Sequence, residues 1–156
     1  MKKFLSGLDT VINIVIVIQM IIVVATVLLQ ILFRSVIVKP LSWSEELSRY
    51  AFIWIVYLGG YLAVRHKSQL GITLLTDRLS GKSKKAVILT GKALMIVYMA
   101  IVTFYGTKLS LQVMGQPSAV MRMPMGVVYM AIPLGMFLMF IGTVAESVEI
   151  IRERDS

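Results

Sequence analysis

The sequence predicts an all-α integral membrane protein with four transmembrane helices and both termini on the cytoplasmic side. Three observations predict it. First, 58% of the 156 residues are hydrophobic and only 15% are charged, giving a mean hydropathy of +0.85. A soluble domain of this size needs more polar surface than that to cover itself. Second, the chain holds four apolar runs of the length that a roughly 30 Å hydrocarbon core demands, about 20 residues each. Third, its basic residues gather between those runs and not within them. Residues 1–156 read as a single membrane domain.

The elements follow in order. Residues 11–33 carry no charge and form the first span. The preceding "MKKFLSGLDT" opens like a signal peptide. However, the apolar stretch runs well past the roughly 7–15 residues of a secretory core and meets no small-x-small cleavage site, so it reads as an uncleaved span. Pro40 then breaks any helix arriving from upstream. The second span, 47–64, is interrupted only by Arg49. Ser42 and Glu45 fit a capping box at its start, and Trp43 suits the interfacial aromatic belt.

Residues 65–85 form a basic loop. Its "LGITLLTDRLSG" is amphipathic but too short to cross, so it reads either as a short helix in the headgroup layer or as a plain exposed loop. The third span, 86–109, holds Lys92 and Lys108 toward its ends. Lys92 lies roughly 9 Å deep at 1.5 Å per residue. Its stem either snorkels back to the headgroups or meets another helix. The fourth span, 125–144, is uncharged; Pro133 is expected to kink it, and Gly135 and Gly142 to mark a close-packing face.

Orientation comes from the loops. Lys2, Lys3, Arg65, Lys67, Arg78, Lys82, Lys84, Lys85, Arg152 and Arg154 fall on one side, and outnumber Arg34, Lys39, Lys108 and Arg122 on the other. The richer side is cytoplasmic. The net charge of +8 therefore finds its counter-charge in anionic lipid headgroups of the bilayer, with no nucleic acid implied. With no cysteine and one histidine, His66, the chain offers no disulfide, thiolate metal site or catalytic constellation, and no cofactor is expected. The eleven methionines read as membrane-helix filler.

The informative stretch is "PLSWSEELSRYAFIWIVYLGGYLAVRHK", which sets three charges at the mouth of an apolar segment. A capped helix start with Arg49 paired to Glu45 or Glu46 explains most of it. One carboxylate and some guanidinium donors are left over, and ionisable groups at that depth mark a functional contact. Further along, Gly59 and Ala63 form a small-xxx-small pair that lets another helix approach. Arg49, Ile53, Val56 and Gly60 share a face, so charge and small residue are placed to serve one packing surface.

"WSEELSRYAFIWIVYLGGYLAVR" resembles the signature of the small membrane subunit (DctQ-type) of tripartite ATP-independent periplasmic transporters. Trp43, Glu45, Glu46, Arg49, Trp54, Gly59, Ala63 and Arg65 match that signature in order. A second block, "SAVMRMPMGVVYMAIPLGMFLM", is similar to the family's last helix, with Pro124, Tyr129, Pro133 and Gly135 in place. The chain departs where the family often has a His and, four residues on, an Asp; Gln69 and Thr73 stand there.

The resemblance implies a three-protein system in a bacterial inner membrane. A periplasmic substrate-binding protein delivers an organic anion, such as a C4-dicarboxylate or sialic acid. A large membrane subunit carries the substrate and sodium sites and moves in an elevator-like way. The small subunit packs against it as scaffold and helps dock the binding protein. On this reading Trp43, Glu45, Glu46, Arg49, Trp54, Gly59, Ala63, Pro133 and Gly135 are candidates for subunit contact or helix packing. The rival reading is a stand-alone four-helix homodimeric transporter of small solutes. It needs an ionisable group inside the membrane. The acids seen near a span, Glu45 and Glu46 at one mouth and Glu146 and Glu149 past the last helix, count against it.

Overall fold

A computed structural model describes residues 2–37, 41–66 and 81–152. The chain runs as helix α1 (Lys2–Leu32), a π-helical turn (Phe33–Ile37), α2 (Ser42–Arg65), α3 (Gly81–Gln112), the short α4 (Met125–Tyr129) and α5 (Ala131–Arg152). Four stretches are long and apolar enough to cross a bilayer: Ser6–Val36, Ser42–Arg65, Ala86–Gln112 and Met125–Val148, the last made jointly by α4 and α5. Most of the amphipathic stretch 70–81 lies outside the described residues, as do Gln69 and Thr73.

Val and Ile dominate α1 although they are modest helix formers in water. Within hydrocarbon every backbone N–H and C=O must bond inside the segment, so the helix is the only open choice. Hydroxyl side chains obey the same demand by turning back onto the carbonyl four residues earlier. Thr103 donates to Met99 at 2.7 Å, Thr107 to Thr103 at 2.8 Å, Thr143 to Met139 at 2.9 Å and Ser147 to Thr143 at 2.7 Å.

The packing order differs from the chain order. Among the described residues α1 packs on α2 alone, α2 also packs on α5, and α5 packs on α3. The helices thus follow one another as α1–α2–α5–α3 and do not close into a ring. Ile12, Leu58 and Tyr61 form the buried cluster between α1 and α2, with Trp54, Leu62 and Met139 packed against it.

Glycines set the closest approaches. A Cβ on Gly135 would lie 2.5 Å from Tyr57 Cβ and 3.1 Å from the Tyr57 backbone, and one on Gly142 would lie 3.3 Å from Val64. Both therefore face α2. Pro133 has no N–H for the Tyr129 carbonyl, and the helix breaks at Met130, between α4 and α5. The ring of Pro133 then rests against Gly106 of α3, where a Cβ would be 3.4 Å away.

Two expectations are corrected, the capping of α2 and the place of Glu146, which lies within α5 and within the last apolar span and not past the last helix. Ser42 does not cap α2, and Glu45 does not reach back to it. The capping position belongs to Leu41, without a side-chain cap, and the Ser44 hydroxyl donates to the Leu41 carbonyl at 2.7 Å. Of the two readings of Lys92, contact with another helix is the one the structure takes. Lys92 is buried, and its ammonium sits 2.8 Å from Glu146 on α5. A helix neighbour carrying a carboxylate gives the ammonium a closer counter-charge than the headgroups do.

Candidate functional site

At the start of α2 the charged residues separate by role. Glu45 and Arg49 lie on the outer face, with side chains 63% and 68% exposed, and pair at 3.4 Å one turn apart. Trp43 is also exposed. Glu46 points the other way. Its Oε1 accepts from the Tyr50 hydroxyl at 2.7 Å and from the Ala119 N–H at 3.0 Å. Its Oε2 accepts from the N–H groups of Val120 at 3.2 Å and Met121 at 2.6 Å.

The partner of that carboxylate is a tight hairpin between α3 and α4. Pro117 and Pro124 pair across it, Ser118 N–H donates to Met123 O at 2.8 Å, and Met125 N–H donates to Gln116 O at 2.9 Å. The Met123 N–H donates to the Ser118 hydroxyl at 3.1 Å, and Arg122 takes a left-handed backbone with φ of 54°. A tip this short cannot pair all its amides within itself. Three successive N–H groups converge outward as an anion-binding nest, and Glu46 fills it. The carboxylate left over by the sequence pattern is thus engaged inside the chain. The signal for this was the Pro-flanked segment 117–124 facing an acid of unknown use.

The opposite end of the molecule holds two further ion pairs. Asp9, in the first turns of α1, receives the Tyr61 hydroxyl at 2.7 Å and two Arg65 nitrogens at 3.1 and 3.3 Å. Asp9 stands just ahead of the uncharged run, where a lone acid has the sequence pattern of a solvated tail. The second pair is Lys92 with Glu146, side chains 5% and 17% exposed, an ion pair at 2.8 Å.

The remaining candidate residues divide in two. Trp54 packs on the α1–α2 cluster, Pro133 rests on Gly106, and Gly135 meets Tyr57, so all three are used within the chain. Gly60 joins them, because a Cβ there would strike the Met139 side chain. Charge and small residue therefore do not serve one surface as Arg49 and Gly60. Gly59 is different: nothing lies within 4 Å of where its Cβ would be, and Ala63 is exposed. Between α3 and α5 an open groove of about 610 Å³ is lined by apolar atoms of Phe104, Leu111, Phe137 and Phe140, with Lys108 at its edge.

Known proteins match this chain along most of its length. The sequence profile of the DctQ component of tripartite ATP-independent periplasmic transporters matches residues 23–153. The C4-dicarboxylate TRAP transporter small permease protein DctQ of Rhodobacter capsulatus is 31% identical over 101 residues, covering 64% of this chain and 44% of that protein. The sialic acid TRAP transporter small permease protein SiaQ of Vibrio cholerae is 24% identical over 106 residues, covering 68% and 60%. The isethionate TRAP transporter permease protein DctMQ of Oleidesulfovibrio alaskensis is 25% identical over 99 residues, 62% of this chain but 16% of the relative. The chain thus spans about half the length of the first two relatives. The family is one of transporter components and not of enzymes, and its four apolar helices make this chain a multi-pass protein of a bacterial inner membrane. The chain belongs to the DctQ component family of tripartite ATP-independent periplasmic transporters.

Proposed function

We propose that this chain is the small, mainly structural permease subunit of a sodium-coupled importer that receives organic acids from a periplasmic binding protein. A large membrane subunit carries the substrate. C4-dicarboxylates and sialic acid are the substrate classes that the small-permease relatives point to. In the isethionate relative the matching stretch is a minor part of one longer permease chain, which supports a large partner within the membrane.

One observation carries the structural role: the charged groups of the described spans are largely spent on one another. Asp9 is paired with Arg65, Lys92 with Glu146, and Glu46 with the hairpin. An anionic substrate needs donors that are free to receive it. The α3–α5 groove has aromatic and aliphatic walls, with the Thr103 and Thr107 hydroxyls turned back to their own helix and the Lys108 ammonium as its one cationic group among the lining residues.

The orientation follows from the basic loops. Both termini and the Asp9–Arg65 end are cytoplasmic, so the Glu46 hairpin, Trp43, Glu45 and Arg49 are periplasmic. There Glu45 and Arg49 remain available to a partner.

The test is reconstitution in proteoliposomes with the large subunit and the binding protein. Uptake of a labelled C4-dicarboxylate or sialic acid under an inward sodium gradient should require all three proteins. Uptake by this chain alone would overturn the structural role and favour the stand-alone homodimer.

A further inference from the structure

Helix α2 is covered on two sides and open on a third. Tyr61 and Trp54 face α1; Tyr57, Gly60 and Val64 face α5. What remains is Glu45, Arg49, Phe52, Val56, Gly59 and Ala63, spaced alternately by four and three residues. At 3.6 residues per turn these six lie within about 80° of arc, the a/d spacing of a helix-packing seam. Phe52 and Val56 are 58% and 51% exposed, and among the described residues nothing lies within 4 Å of a Cβ placed at Gly59.

We propose that this seam is where one helix of the large permease subunit lies against α2. The inference rests on the reading of this chain as a small permease subunit and adds the surface by which it assembles.

Three features favour a protein helix over lipid as the occupant. Acyl chains gain nothing from a notch, whereas small residues let two backbones approach closely enough for dispersion contacts to hold helices together in a membrane. The seam also ends in the exposed Glu45–Arg49 pair, whose spare acceptors and donors give a partner helix a polar register point at the membrane edge. The outward face of α1 shows the contrast. Ile14, Val17, Ile18 and Ile21 are all bulky and exposed, and residues 11–33 contain neither a charge nor a glycine. That face is built for lipid.

The chain has no cysteine, so each single-cysteine variant carries one attachment point of its own for a photo-cross-linker. V56C, G59C and A63C on the seam, and I14C and I21C on α1, would be labelled with benzophenone maleimide. Each is co-expressed with the large permease subunit, purified in mild detergent and illuminated. The seam positions should give a band at the combined mass of the two subunits, about tenfold stronger than from α1. G59L, whose Cβ meets nothing within 4 Å among the described residues, should lower recovery of the large subunit several-fold, while I21W should not. If the complex forms but α1 positions cross-link as strongly, or the seam cross-links only to a second copy of this chain, the seam is wrong and the subunit reading stands. If the unsubstituted chain recovers no large permease at all, the subunit reading falls and the seam with it.

Discussion

The Met121 N–H donates to Glu46 Oε2 at 2.6 Å, joining residues 75 apart and tying the tip of the α3–α4 hairpin to the first turns of α2. The adjacent amides of Ala119 and Val120 share the same carboxylate. Glu46→Ala should leave three successive N–H groups without an acceptor, and hydrogen exchange at residues 119–121 should then quicken sharply. Glu46→Gln keeps one acceptor oxygen but turns a donor toward the amides, so it should fall between. Glu45→Ala removes only an exposed pair with Arg49 and should leave the tip unchanged. Equal exchange in all three variants would show that the hairpin holds itself.

Lys92 and Glu146 join α3 to α5 where neither side chain is well solvated. Removing one partner strands the other charge, which costs roughly 3–5 kcal/mol when such a pair is buried. Lys92→Met and Glu146→Leu should each lower stability by that order in reversible unfolding from mixed SDS micelles. The double variant should recover most of the loss, since apolar replacement of both partners leaves no stranded charge. Additive losses in the double variant would mean that the two residues act independently.

How much of this was legible follows from the kind of signal each feature carries. The four spans and the family are written in local hydropathy and in an ordered motif, so they could be read directly. The Gly135–Gly142 spacing gave a face but not its partner, α2, because helix order in the membrane is set by side-chain fit and not by chain order. Asp9 is not legible in the sequence because an acid a few residues ahead of an apolar run looks like part of a solvated tail; only the antiparallel return of α2 brings Arg65 and Tyr61 to it. Glu46 misled in the opposite direction. Its excess charge was real, but its partners are backbone amides, which no residue pattern displays.

Asp9 has a local effect in prospect because α1 packs on α2 alone among the described residues. Asp9→Ala removes the acceptor of two Arg65 nitrogens and of the Tyr61 hydroxyl. The expected cost is about 1–3 kcal/mol, as for hydrogen bonds to a charged group. The change should appear as increased mobility of spin labels at the start of α1, with α3 and α5 unaffected. A global loss of fold would show that α1 is needed to hold the other helices.

Gly135 and Gly59 are matched opposites on the two sides of α2. In Gly135→Ala the new methyl would meet the Tyr57 Cβ at 2.5 Å and the Tyr57 backbone at 3.1 Å, and a backbone cannot swing aside as a side-chain tip does. Overpacking of this kind costs about 1–3 kcal/mol. Gly59→Ala meets nothing within 4 Å and gains helix propensity, so the isolated subunit should be unchanged or more stable by about 0.5–1 kcal/mol. Unfolding of both variants without any partner present separates the two cases. Equal destabilisation would mean that Gly59 is also packed within the chain, and that the open face of α2 is narrower than its geometry indicates.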